Sequence, residues 1–159
     1  MPTLKLLTRI NAPAEICFDL SRSIDLHTIS TQHTGERAIA GTTQGLIGPG
    51  EFVTWRAKHF RIWQQLTSKI TAYERPVFFA DEMVKGAFKS FRHEHHFEQH
   101  GSDTIMLDIF VYTSPLGFLG RLADFCFLKG YMEQLLKQRN QVIKAYAETG
   151  KWKEIINMN

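Results

Sequence analysis

The pattern that most constrains the fold is a run of five strand-like segments followed by one long helical pattern. The segments cover residues 51–60, 62–73, 77–85, 88–99 and 104–113, with turn-forming residues between them. From about residue 118 to residue 150, apolar residues recur at the spacing of one helix face. Consecutive antiparallel strands followed by a terminal helix predict an α+β domain in which the sheet packs against that helix.

The first 50 residues predict further strands and two short helices. Residues 3–10 alternate as a strand, and residues 12–21 and 23–30 carry short helical patterns. A glycine-rich stretch follows, in which residues 36–40 are a further strand candidate. We therefore expect a single domain over residues 1–150 and a loose C-terminal tail over residues 151–159.

Composition excludes several classes of protein. With 43% apolar and 22% charged residues, the 159-residue chain has the balance of an ordinary globular domain. The net charge of +3 is mild and no basic cluster stands out, so nucleic-acid binding is not predicted. No segment resembles a signal peptide or a membrane span. Cys17 and Cys126 follow no metal-binding or disulfide spacing, which predicts buried thiols in a reducing cytoplasm.

The strand faces are rich in aromatic residues, and a few polar ones lie among them. Side chains alternate between the two faces of a strand, so His93 and His95 share a face with two phenylalanines. Asp81 and Asp108 likewise lie between apolar neighbours on their own strands. An aromatic face with a few polar groups suits a mostly apolar ligand, but the same pattern also describes a filled core.

His93 and His95 have three interpretations from sequence. As an i, i+2 pair they could present two imidazoles to one metal ion, with Asp81, Asp108 or His59 completing the site. They could instead form a pocket wall held by hydrogen bonds to the acids. A His–Asp pair could also act as a general acid and base in a dry cavity. Because no recognised spacing supplies a third ligand, the sequence assigns neither a metal nor a cofactor.

The chain also resembles a known superfamily, the START-like or SRPBCC helix-grip proteins, which include polyketide cyclase/dehydrase and birch-pollen-allergen-like groups. The resemblance covers residues 4–148. It is carried by the closing helix and by residues 10–13, 50–60, 79–82, 86–88, 93–95 and 113–117, which include the motif VTWRAKHF at 53–60. This motif is similar to that of an uncharacterised bacterial ligand-binding subfamily.

The resemblance implies an antiparallel sheet of six or seven strands that grips the C-terminal helix, with two small helices closing one end. It implies a cavity between the sheet and the helix, and no universal catalytic residues. The expected wall consists of strand and helix residues: Trp55, His59, Phe79, Asp81, Phe91, His93, His95, Asp108, Tyr112, Phe118, Leu122, Phe125 and Met132.

Three functions remain open from the sequence. The first is binding or carriage of a lipid-like or polycyclic molecule in the cavity. The second is a cyclase or dehydratase that uses His93, His95 and Asp108 as acid and base groups. The third is a protein-interaction module with a filled core. We expect a hydrophobic small-molecule partner, whereas no protein partner is identified.

Overall fold

A computed structural model of the chain describes residues 1–156. The strands are β1 (Thr3–Ile10), β2 (Arg37–Gly41), β3 (Phe52–His59), β4 (Ile62–Glu74), β5 (Phe78–Lys85), β6 (Ser90–His100) and β7 (Asp103–Thr113). The helices are α1 (Ala14–Ser21), α2 (Ile24–Ser30), α3 (Gly117–Ala123), α4 (Lys129–Glu148) and α5 (Trp152–Ile155). The predicted α+β class and strand positions are confirmed, and strand ends differ from prediction by one or two residues.

All seven strands form one antiparallel sheet in the order β1-β7-β6-β5-β4-β3-β2. Consecutive strands from β2 to β7 are neighbours, and β1 pairs with β7, so that Thr3 lies opposite Val111. The helices α1 and α2 connect the two edge strands. Ser23 caps α2 by accepting a hydrogen bond from the backbone N–H of Leu26, at 3.1 Å.

The C-terminal helical region differs from the single regular helix that the sequence predicts. A π-helical turn, Asp124–Leu128, joins α3 to α4. A π turn holds more residues than an α turn, so it rotates the preceding residues around the helix axis relative to those that follow. As a result, α4 faces the sheet while most of α3 is exposed.

Two further expectations need correction. The predicted loose tail contains α5, and Ile156 is buried against the core, whereas residues 157–159 lie outside the described residues. Cys17 is buried as predicted, but Cys126 is exposed. Burial raises the pKa of the Cys17 thiol to about 11, so this thiol stays protonated at neutral pH. Among residues 1–156, no helix has the length and apolar character to cross a membrane.

The apolar core has two parts, which lie at different places along the sheet. The larger part surrounds Phe18 of α1, whose ring packs edge-on against Tyr73, Phe79 and Phe97. The smaller part includes Phe110 and Leu136 and lies nearer to the start of α4. Neither part fills all of the space between sheet and helix, and the remaining space is the candidate site.

Asp19 links α1 to the β4–β5 connection and gives a pH-dependent prediction. It accepts hydrogen bonds from Arg75 at 2.7 Å and from Arg22 at 2.8 Å. Burial opposes ionisation, but the two arginines outweigh it and hold the pKa of the Asp19 carboxyl below its usual value. A lowered pKa contributes stability above the unfolded-state value of about 3.9, which is lost as the pH falls through the folded-state value.

We therefore expect Asp19→Asn to lower the free energy of unfolding at pH 7 by about 1–3 kcal/mol. The difference from wild type should shrink as the pH falls below about 4, because the wild-type carboxyl then also becomes neutral. Urea titrations at a series of pH values measure this. A difference that stays constant from neutral to acidic pH would contradict the electrostatic role of Asp19.

Candidate functional site

One face of the sheet and α4 enclose a cavity of about 410 Å³. This volume lies within the range of small-molecule sites. Most of its lining is apolar and comes from both parts of the core. The sheet contributes, among others, Val53, Trp55, Ala57, Leu66, Ile70, Phe79, Phe91 and Phe110, and the helical region contributes Phe127, Leu128, Tyr131, Met132, Leu135 and Leu136.

One wall of the cavity carries a cluster of charged and polar side chains centred on Asp108. Its Oδ1 accepts hydrogen bonds from Nε2 of His93 at 3.1 Å and from Nδ1 of His95 at 2.8 Å. The strand register explains this arrangement, because β6 and β7 place His95 directly opposite Asp108. Since both histidines are buried, Asp108 fixes two imidazoles in the cavity wall.

Helix α4 completes the cluster from the opposite side. Asn140 donates a hydrogen bond to Oδ2 of Asp108 at 2.7 Å, and Nη1 of Arg139 lies 3.5 Å from Oδ1. Arg139 also donates to the backbone carbonyl of Ser21 at 2.9 Å. Burial disfavours the charged carboxylate, but hydrogen bonds from the histidines and the charge of Arg139 lower the pKa of Asp108 well below its usual value. Asp108 is therefore an ionised group inside the core.

His95 bridges two carboxylates. Its Nδ1 faces Asp108, and its Nε2 lies 3.2 Å from Oδ1 of Asp81 on β5. Burial opposes ionisation of Asp81, but the hydrogen bond from His95 outweighs it and lowers the pKa, so this carboxyl is ionised too. Each ring nitrogen of His95 thus lies within hydrogen-bond distance of a carboxylate oxygen. The ring also stacks on Phe79, with centroids 4.2 Å apart.

The protonation of His93 follows from its surroundings. Burial and the charge of His95 lower its pKa to about 4, so its imidazole is neutral at pH 7. Its single N–H is on Nε2, which donates to Asp108, and Nδ1 therefore carries a lone pair. Among the residues described, Nδ1 has no hydrogen-bond partner, and His93 lines the cavity. The wall thus offers a free acceptor to a bound molecule.

The β3–β4 hairpin and the π-helical turn meet at one end of the cavity. The hairpin turns through Phe60 and Arg61, which both have positive φ angles (51° and 66°), as a two-residue type I′ turn requires. The half-exposed Phe60 ring packs on Phe127 and Tyr131, with centroids 5.4 and 4.6 Å apart. Tyr131 is also 2.7 Å from Nδ1 of His59. These aromatic side chains form the rim of the cavity.

Eight of the expected wall residues line the cavity, and five do not. Those on the wall are Trp55, His59, Phe79, Asp81, Phe91, His93, His95 and Met132. Asp108 lies behind the two histidines, and Tyr112 is fully buried in the smaller part of the core. Their side chains therefore support the wall without lining it.

The placement of Phe118, Leu122 and Phe125 on the wall was wrong. Their side chains are 71%, 50% and 90% exposed, and none of them lines the cavity. The prediction assumed one regular helix, whereas the π-helical turn rotates Phe118 and Leu122, which precede it, away from the sheet, and Phe125 lies within the turn itself. The aromatic residues that face the cavity from this region are instead Phe127 and Tyr131.

Sequence reasoning missed Arg139 and Asn140, although a signal was present. Both lie three or four residues from Leu136 and Ile143, two apolar positions of the helical stripe. This spacing places them on the buried face of α4. A polar pair on such a face needs buried partners, and Asp108 supplies them.

Comparison with solved structures identifies the fold. TTHA0849 from Thermus thermophilus is 15% identical, with a TM-score of 0.71 over 92% of this chain and 100% of that chain. Ginseng major latex-like protein 151 from Panax ginseng is 18% identical, with a TM-score of 0.67 over 92% and 97% of the two chains. Ara h 8.0201 is 11% identical, with a TM-score of 0.60 over 91% and 98%. The chain thus has the helix-grip fold of Bet v 1-like proteins, which confirms the predicted architecture.

The sequence itself matches no protein-family model and no curated protein. At these identities the structural likeness establishes the fold alone. The function must therefore be argued from the cavity and from the polar cluster in its wall.

Proposed function

We propose that this protein binds or carries a hydrophobic small molecule, lipid-like or polycyclic, in the cavity between the sheet and α4. The observation that carries the proposal is the cavity of about 410 Å³, whose lining is mainly aromatic and aliphatic. Transfer of apolar ligand surface out of water supplies about 25 cal/mol per Å². An open space of this kind also weighs against the filled core that an interaction module would have.

The polar wall supports a more specific form of the proposal. His93 offers an unprotonated nitrogen, and Arg139 places a guanidinium on the cavity. A ligand with one polar group at the end of an apolar body would pair that group with this wall and fill the remaining space with its body. The polar contacts would then set the orientation, and the apolar contacts would supply most of the affinity.

Native mass spectrometry of freshly purified protein tests the proposal. A stoichiometric adduct that organic extraction releases, and that proves to be apolar, is the expected result. Protein that stays unliganded both from the host and after incubation with fatty acids, sterols and polycyclic aromatics would contradict it. Incubation of the released molecule with the protein also tests the alternative of a cyclase or dehydratase, because only an enzyme would change it chemically.

Ala57 gives a prediction that depends on the cavity. It is buried on β3 and lines the cavity, so Ala57→Trp should fill much of the space and abolish ligand binding. Lys58→Trp is the matched control, because it places the same side chain on the exposed face of the same strand. Binding is measured by displacement of a fluorescent apolar probe. Equal affinity in the two variants would contradict the placement of the ligand.

Cell location and subfamily belong to this proposal as well. We assign the protein to the cytoplasm, as a member of the bacterial ligand-binding subfamily that its motif VTWRAKHF resembles. Two unpaired cysteines, one of them exposed, support a reducing compartment. Expression with a cytoplasmic and with an exported fusion, followed by thiol labelling of Cys126, tests this assignment.

A further inference from the structure

The cavity wall brings together three side chains of types that bind metal ions, Asp81, His93 and His95. Binding of an apolar ligand alone does not require this arrangement. One carboxylate oxygen of Asp81 and one nitrogen of each imidazole lie within 4.8 Å of one another. Ligand atoms of a tetrahedral zinc site lie about 3.4 Å apart, since each is about 2.0–2.1 Å from the metal. Small side-chain rotations would therefore bring the three atoms to one ion. The strand register makes the group rigid, because Asp81 lies opposite His93 and His95 follows two residues later.

Asp108 supplies the support that metal-binding histidines need. In metal sites, the ring nitrogen that does not bind the ion donates its hydrogen to a carboxylate or carbonyl, which fixes the ring. Asp108 accepts such a hydrogen from Nε2 of His93 and from Nδ1 of His95. The nitrogens that remain for an ion are therefore Nδ1 of His93 and Nε2 of His95. Both rings are already held by a buried carboxylate before any ion binds.

The charges of the cluster also suit a cation. Arg139 lies beside Asp108, so its positive charge is balanced there. The carboxylate of Asp81 faces Nε2 of His95, at an N–O distance of 3.2 Å. A divalent ion between these two atoms would pair directly with the negative charge of Asp81. Histidine nitrogen and carboxylate oxygen are ligands that zinc and neighbouring transition metals accept.

We propose that Asp81, His93 and His95 form a binding site for one divalent transition-metal ion in the cavity wall. Three protein ligands leave a coordination position open towards the cavity, as in catalytic sites. The occupant of that position, water or a ligand oxygen, would touch the metal directly. If the proposed binding function also holds, the preferred ligands are apolar molecules with a carboxylate or phenolate oxygen.

The test uses tag-free protein from which metals have been removed with a chelator and cavity occupants by organic extraction and refolding. Calorimetry with Zn²⁺ and absorption spectroscopy with Co²⁺ measure the affinity, the stoichiometry and the coordination. We expect one ion per chain and the intense visible bands of cobalt with four or five ligands. Loss of the outer carboxylate typically costs about 10–100-fold in affinity, so loss of a direct ligand in Asp81→Ala should cost at least as much.

His96→Ala is the matched control. It removes an imidazole from the same strand, but on the outer face, where His96 contacts Glu94. Its metal affinity should equal that of wild type. Asp81→Asn keeps the size of the side chain and gives the same comparison should the alanine variant fail to fold. Absence of a one-to-one site in wild type, or an equal loss in the Asp81 variants and His96→Ala, would overturn the proposal. Either result leaves the mass-spectrometric test of ligand binding unaffected.

Discussion

Asp108→Ala is expected to lower the free energy of unfolding by about 3–5 kcal/mol, as for loss of one partner of a buried ion pair. The carboxylate is 1% exposed and accepts hydrogen bonds from His93, His95 and Asn140. Its removal leaves Arg139 as a buried cation without its counter-charge and leaves the donors without an acceptor. The loss of stability therefore comes mainly from buried polar groups that are left without partners, rather than from the hydrogen bonds that are removed.

Urea unfolding followed by far-UV circular dichroism measures this effect at pH 7. Asp108→Asn keeps an acceptor oxygen and the shape of the side chain but not the charge, so it should fall between wild type and the alanine variant. Asp103→Ala is the control on the same strand, because Asp103 pairs with the largely exposed Arg9. If Asp108→Ala proves as stable as Asp103→Ala, the cluster does not hold α4 to the sheet.

Phe18→Ala is expected to have an effect of similar size for an unrelated reason. The Phe18 side chain is fully buried, and three aromatic rings pack against it at centroid distances of 5.2–5.4 Å. Truncation removes this packing and leaves a cavity that the rigid surroundings cannot fill. Comparable substitutions cost about 3–5 kcal/mol. For a domain of this size, each kcal/mol lowers the melting temperature by roughly 2–4 °C, so a drop of roughly 6–20 °C is expected.

Phe125→Ala is the matched control for this substitution. It removes the same side chain from a position that is 90% exposed, so the free energy of unfolding should change by less than about 0.5 kcal/mol. Differential scanning calorimetry of both variants gives the comparison. If the two substitutions cost the same, Phe18 does not lie at the centre of the core. If Phe125→Ala is strongly destabilising, α3 is packed rather than exposed.

The strands could be predicted from the sequence because their patterns are local. Alternation over eleven residues of β6 places His93 and His95 on the buried face, and the turn residues on either side fix where the strand begins and ends. The two aspartates were found for the same reason, since each is a charged residue on an apolar face. Sequence could not show that they converge on His95, because that depends on strand registers between β5, β6 and β7.

The helical wall could not be predicted in the same way. A single π-helical turn at Asp124–Leu128 changes which face of the helix meets the sheet, and a period of 3.6 residues cannot indicate it. Phe125 and Phe127 are equally apolar, yet the half-exposed Phe127 lines the cavity, whereas Phe125 is 90% exposed and does not. The size of the cavity also could not be predicted from the sequence, because aromatic residues on inward faces can either fill a core or surround an open space.

The pairing of β1 with β7 affects how the chain folds. Thr3 lies opposite Val111 and Ile10 opposite Thr104, so most of the chain separates partners that are neighbours in the sheet. Contacts between residues so far apart in sequence form slowly, because a long loop must close first. During synthesis at roughly 5–20 residues per second, β1 remains unpaired for several seconds before its partner strand β7 leaves the ribosome. Throughout that interval the leucines and the isoleucine of β1 are exposed and can bind chaperones or other nascent chains.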